Sequence, residues 1–332
     1  MTLINVYCDE VILHASKNYM VLGALFVKDT DVNKVLELLE NCRCLNTSNN
    51  KWNYNFIECC NKENCKEHWH NKNNTNIHFT EIDRSRDRKN IAKKWLTLLR
   101  SSLKKYIKFS LLVIDLKKLN CEYFGKNKTD LNIYNRFFRT LLNGGSKYLY
   151  NKQHVKINTV YHDEGSQEKH SYFPELNLEK LELETSNALI ILNKKIKFIN
   201  DDHRRYLKKH DMDLVKCSQF IQLIDIILGS FTQLYLNNSE NDDKKEVAEI
   251  VRGLFDDVFK RKGGCPYSVS FFPKYSLDEL SHINQQSLLD FNEKDIEFKI
   301  DTAIKYSGNF YNKACFSMPK FDKSQLDLTA WI

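Results

Sequence analysis

The sequence predicts an α/β fold, a mixed β-sheet with helices on its faces, and three observations carry that expectation. Two runs rich in β-branched, aromatic or apolar residues, Leu3 to Cys8 and Tyr19 to Val27, flank a polar connection and read as an antiparallel pair near the middle of a sheet. Phe109 to Leu116, FSLLVIDL, is almost continuously apolar, which suits a strand covered on both faces. Between and after these runs, strand-like and helix-like periods alternate, the pattern of layered α/β proteins.

In chain order, residues 31–40 predict a short helix whose apolar face is Val32, Val35, Leu36, Leu38 and Leu39. Residues 41–76 turn to Asn, Lys, Cys and His and read as an insertion. Ile77 to Ile82 is a short strand candidate. A helix is expected over about 83–106 with Ile91, Trp95, Leu98, Leu99 and Leu103 on one side. Further helices are expected over about 131–150 and 176–192, with strands at Val155 to His162 and Lys195 to Ile199. Residues 214–236 predict a helix apolar on nearly every side and therefore buried, except for a stripe of Ser218, Gln222, Asp225 and Gly229. Residues 242–261 read as an amphipathic helix. The expected division is one domain over 1–236, carrying the insertion at 41–76, and an extension over 237–332 with helical character packed on that core.

With 332 residues, 42% hydrophobic and 28% charged, the chain can bury a sizeable core. Its start shows no basic and apolar leader, and no run reaches the ~18 consecutive apolar residues of a membrane span, so a cytoplasmic protein without membrane attachment is expected. Ten cysteines in that compartment favour thiols or metal over disulfides. Cys60, Cys65, His68 and His70 could form a zinc site that folds the insertion, against the alternative of reduced thiols and solvated histidines. The net charge is +7, and ten Lys or Arg crowd residues 84–108 against Asp83 and Asp87. Arg84, Arg88, Lys93 and Lys94 are candidates for phosphate contacts, with a solvated helix face as the alternative; Lys194 to Lys209 holds a second basic cluster.

The carboxylates carry the chemistry. Asp9 and Glu10 end the first strand, Asp163 ends a later one, Asp225 sits within the apolar helix, and Glu81 follows a short strand-like segment. A buried carboxylate is costly unless paired, hydrogen-bonded or bound to a cation. Two-metal phosphodiester hydrolysis needs several hard oxygen ligands converging around ions about 4 Å apart. Asp9 would bridge, Asp163 and Asp225 would ligate with Glu10 beside them, and Glu81 would complete the set around Mg²⁺ or Mn²⁺. The alternatives are turn and cap roles for Asp9, Asp163 and Glu81, and a buried ion pair with Arg or Lys for Asp225. Asp115, at another strand end, competes with Asp163.

The YCDE run at Tyr7 to Glu10, the Gly-bearing second strand, the HFTE segment, the strand ending in His-Asp-Glu and the helix run FIQLIDIILGSF together resemble the bacterial family catalogued as domain of unknown function 3800. That family is similar to ribonuclease H-like nucleases. The resemblance covers roughly residues 3–232 and implies a ribonuclease H-like mixed sheet flanked by helices and a metal-dependent nuclease site. Asp9 and Asp225 match best, with Glu10 and Gln222 beside them; Asp163 matches less closely and Glu81 loosely. The chain departs from the family at Val11 and Ile12, where Ser and often Gly are usual. The expected function is therefore metal-dependent hydrolysis of RNA or DNA. The alternatives are a non-catalytic nucleic-acid or protein-binding module on the same fold and, last, a phosphotransferase, which would need a Gly-rich phosphate loop that ten glycines do not supply here.

Overall fold

A computed structural model describes residues 2–13, 19–43, 75–116, 129–150, 155–170, 172–185, 189–236, 239–259 and 265–272. The zinc candidates Cys60, Cys65, His68 and His70 lie outside the described residues, as do most of the insertion and the chain after Phe272.

The sheet strands are β1 (Thr2–Leu13), β2 (Tyr19–Lys28), β3 (Ile107–Asp115), β4 (Val155–Asp163), β5 (Leu189–Ile191), β6 (Lys197–Ile199) and β7 (Tyr267–Phe272). Their order is β5-β4-β1-β2-β3-β7, with β6 also pairing β4. β1 and β2 form the expected antiparallel pair, β3 adds to β2 antiparallel as well, and β4 joins β1 in parallel. The sheet is thus mixed, with helices on both faces. Helices α1 (Val32–Cys42), α2 (Arg86–Arg100), α6 (Met212–Leu236), α7 (Asp242–Glu249) and α8 (Arg252–Phe259) cover one face; α3 (Thr129–Leu149) and α4 (Phe173–Glu184) cover the other. The short α5 (Arg204–Lys208) links β6 to α6.

Strand alternation decides which side chains meet which layer. Along β1, Val6 and Cys8 enter the core beneath α3, while Tyr7 stacks on Phe220 of α6 at 4.4 Å between ring centroids. Asp9 therefore faces α6, and Glu10 the α3 side. β2 is buried on both faces except for Lys28, which is why its sequence lacks any alternation of polarity.

Several expected elements differ in the structure. Residues 75–78 lack regular structure and lead into a 3₁₀ turn, Phe79–Arg84, where a strand was expected. The reason is tertiary: the Ile77 N–H donates to the Gln222 side chain at 3.2 Å, and Phe79 packs against α6. The helix expected over 176–192 ends near Thr185, and Leu189–Ile191 instead extends the sheet beside β4. The helix expected over 242–261 is broken between Glu249 and Arg252, so its two halves bury separate apolar sets. β7, within the region read as an extension, is a strand of the main sheet, parallel to β3.

α6 has the length and hydropathy of a membrane span, but 83% of its most apolar window is buried inside the protein. Two glycines set its position. A Cβ on Gly23 of β2 would meet Ile224 and Leu228 side chains at 3.0 Å, so the helix lies close on the sheet. A Cβ on Gly229 would come within 2.0 Å of the Phe79 ring. Only glycine there lets the segment before α2 cross directly over α6.

Gly229→Ala should accordingly destabilise the protein by about 1–3 kcal/mol, the usual cost of overpacking. In a urea-melt double-mutant cycle with Phe79→Ala, the alanine at 229 should cost much less. Additive losses in that cycle would refute the contact as the cause.

Candidate active site

The site forms where the parallel pairing of β1 and β4 stops: β4 ends at Asp163, whereas β1, expected to end at Asp9 and Glu10, runs on against β2 to Leu13. Cys8 pairs with His162, so Asp9 and Asp163 follow side by side, and Gly23 lies opposite Asp9 on the other flank. Asp163 is in turn opposite Ile199 of β6, which places Asp201, two residues on, at the same end of the sheet. Asp225 reaches the group from α6. Asp115 does not: it pairs with Tyr19, four residues along β3 from Leu111 in Asp9's row, roughly 13 Å away along the strand.

One hydrogen-bond hub organises the surrounding loops. Gln222 is fully buried, and its Oε1 accepts from Arg43 Nη2 at 2.7 Å and from the Ile77 N–H. Its Nε2 donates to the Asp201 carbonyl at 2.6 Å and to His203 Nδ1 at 3.1 Å. One amide thus ties the end of α1, the segment before the 3₁₀ turn and the chain leaving β6 to a single turn of α6. One turn further on, Asp225 Oδ2 accepts from the Phe79 N–H and from His78 Nδ1, each at 2.7 Å. The buried Arg or Lys partner considered for Asp225 is replaced by a histidine and a backbone amide; Arg43 instead serves Gln219 and Gln222.

The electrostatics follow from this crowding. Burial, then the charges of Asp225, Asp163 and Glu10, hold Asp9 well above the ordinary carboxylate range. Burial, with Asp201, Glu10 and Asp225, pushes Asp163 up to about 8, and burial also raises Asp201 despite the opposing His78 charge. Burial works against the charged form of His78, but the bond and charge of Asp225, helped by Asp201 and Asp163, override it and lift the imidazole to about 9. Asp9, Asp163, Asp201 and Asp225 thus share a single imidazolium.

Glu10 lies on the opposite face of the sheet, within 3.5 Å of His162 Nε2 and against the Tyr134 hydroxyl; burial pushes it up to about 7. His162 is buried and held neutral, down to about 4, with Nδ1 donating to the Asp163 carbonyl at 2.7 Å and Tyr134 at its other nitrogen. Glu81 is engaged by cations: in the 3₁₀ turn its two oxygens pair with Arg84 at 2.5 Å and Arg88 at 3.0 Å. Asp201 was missed in the sequence. Its signal was available, an aspartate just beyond a short strand running parallel to the one that ends in Asp163.

The basic run expected to meet phosphate has partners within the protein. Lys93 is buried and bonded to Glu246 at 2.5 Å, and Arg88 also donates to the Asn76 carbonyl at 3.0 Å. The acidic face of α7 packs along α2 and takes up charge there, Lys89 included. Lys94 is engaged as well, and Arg84, although exposed, is bonded to Glu81.

Among the described residues, no three His, Cys, Asp or Glu side chains converge closely enough to form a ready metal-binding group. In kind, the donors suit a hard divalent ion: oxygen only, buried or half-buried, with more negative than positive charge. The class defined by fold and site is an α/β protein with a carboxylate cluster, Asp9 and Asp225 buried and Asp163 and Asp201 half-buried, where the parallel pairing of two strands of a mixed sheet stops. No family model and no curated protein matches the chain. Among solved structures, a chain of the PCNA:RNase HII complex from Archaeoglobus fulgidus overlaps 80% of this chain and 93% of its own length at 11% identity and a TM-score of 0.29, a likeness too loose to carry an assignment.

The raised Asp163 makes a pH prediction for chelator-treated protein. Its native carboxyl keeps its proton up to about 8, while an unfolded one loses it near 3.9, so its contribution is fully present below ~3.9 and is lost as pH rises through 8. Urea midpoints should therefore fall between pH 6.5 and 8.5, and Asp163→Asn should shallow that fall. A variant as steep as wild type would show that Asp163 does not titrate there.

Proposed function

We propose that the chain is a metal-dependent nuclease that hydrolyses phosphodiester bonds at the carboxylate cluster. The observation that carries this reading is the register that sets Asp9 beside Asp163 with Asp225 facing them, buried and short of positive charge. Asp9, Asp163 and Asp225 would hold the ions, with Asp201 as a further ligand. Glu10, on the other face, would support the end of β4 through Tyr134 and His162 and would ligate only after a rotation of its side chain. Bound Mg²⁺ or Mn²⁺ would supply an activated water and charge neutralisation for the attacking and leaving oxygens. His78 holds Asp225 by a directed hydrogen bond, and Gln222 fixes the loops that carry His78 and Asp201. The resemblance of YCDE and FIQLIDIILGSF to the domain of unknown function 3800 family, itself similar to ribonuclease H-like nucleases, agrees with this reading.

The competing reading is a binding module that keeps the cluster without turnover. Asp225→Asn separates the two. The amide oxygen still accepts from the Phe79 N–H, so packing survives, while the charge is lost. Nuclease activity with Mg²⁺ or Mn²⁺ should be abolished by chelator and fall at least roughly a hundredfold in the variant, with its far-UV circular dichroism unchanged. The thermal stabilisation that the ions give wild type should vanish in Asp9→Asn. Stabilisation by ions without any cleavage of single- or double-stranded RNA or DNA would favour the binding module.

A further inference from the structure

The two basic clusters of this chain have different fates. The charges of α2 are drawn into ion pairs with α7 and the 3₁₀ turn. Residues 194–210 hold seven Lys or Arg against Asp201 and Asp202, and both acids are engaged locally. Asp201 belongs to the carboxylate group, and Asp202 takes Arg204 in two bonds, at 2.6 Å and 2.7 Å. Lys194 and Lys195 turn to α4, where Glu182 and Glu175 receive them. Lys197, Arg205, Lys208 and Lys209 are left exposed, and among the described residues only Arg205 of these four has an acidic partner within reach, Glu164 at 3.9 Å.

This surface is fastened to the candidate site. The chain leaves β6 at the end of the sheet where Asp163 stands, and Gln222 holds both the Asp201 carbonyl and His203. The Asn200 N–H donates to the Tyr206 hydroxyl at 2.7 Å, fixing α5 against the strand end. α5 then closes at His210, whose φ of 55° lies in the left-handed region, so Lys208, Lys209 and His210 stand together at one exposed corner. A cationic corner rigidly mounted beside a phosphodiester-cleaving centre has the layout of a backbone-tracking surface.

We infer that the α5 corner, chiefly Lys208 and Lys209 with Lys197 and Arg205 beside it, binds the phosphate backbone of a nucleic acid and leads it to the carboxylates. This rests on the nuclease reading for its purpose, but not for its test.

The test uses the full chain with Asp225→Asn and chelator, so that no cleavage occurs, and fluorescently labelled duplex DNA and single-stranded RNA as probes. Lys208→Glu/Lys209→Glu should weaken binding at least roughly tenfold and lower the slope of log K against log[salt] by about two contacts, ~0.9 each on duplex and ~0.7 on single strands. Lys104→Glu/Lys105→Glu is the control. It changes net charge equally, but those residues precede β3, which runs in the same direction as β1, and so lie at the opposite end of the sheet. Equal loss in both variants, no loss in either, or no binding by the parent protein at low salt would overturn the inference. So would retention on phosphatidylserine vesicles that depends on Lys208 and Lys209 while neither oligonucleotide binds. Hydrolysis of bis(p-nitrophenyl) phosphate by the otherwise native chain reads the carboxylates separately. Its absence alongside corner-dependent binding would sink the nuclease and leave the surface standing.

Discussion

A helix that is apolar on nearly every side has to be buried, and in this chain that burial carries a stripe of polar or small residues into the core. Ser218, Gln222, Asp225 and Gly229 lie along one stripe of α6. Each is satisfied in a way that constrains a neighbour. Ser218 bonds back to the Val215 carbonyl, Gln222 engages both ends of its amide, Asp225 accepts from His78 and Phe79, and Gly229 leaves room for the Phe79 ring. An unsatisfied polar group at any of these depths would cost about 1–3 kcal/mol, so the segments before α2 and after β6 are held where they must be to meet the stripe. The candidate site is the place where those two segments, the stripe and the end of the parallel pairing of β1 and β4 coincide.

The same constraint concentrates charge. Elsewhere in the protein carboxylates near the surface find cations: Glu81 takes two arginines and Glu246 two lysines. At the candidate site, Asp9, Asp163, Asp201 and Asp225 find, among the described residues, His78, main-chain amides and the Asn76 side-chain amide, and no Lys or Arg ion pair. Folding here retains an electrostatic cost that a purely structural arrangement could have relieved with one arginine, and Arg43 is near enough to the same helix to show that the chain had one to spend. Its guanidinium goes instead to Gln219 and Gln222.

Charge runs in a sequence are read only by what packs on them. The run after Asp83 and the run after Asn193 look alike as strings, each rich in Lys and Arg. In the folded chain the first lies under α7, whose Asp243 and Glu246 arrive from over 150 residues away, while the second borders the carboxylates and keeps exposed cations. No local rule separates them.

The sequence by itself determined the α/β class, the antiparallel pair that opens the sheet, the burial of α6 and the candidacy of Asp9, Asp163 and Asp225, because each depends on periodicity or on the cost of burying a charge in an apolar run. β7 was not legible, since six residues of strand give too little pattern to stand out; Asp201 follows a strand the sequence does show, and only the pairing of β6 with β4 brings it to the site. The 3₁₀ turn was not legible either, and exists because Gln222 and Gly229 of a distant helix claim Ile77 and Phe79. Only the tertiary structure decided that Asp163 rather than Asp115 lies beside Asp9, that Glu10 faces away, and that Glu81 belongs to its arginines. Those outcomes depend on strand register and on partners far apart in the chain, and a one-residue shift of register would have sent Asp9 to the other face of the sheet.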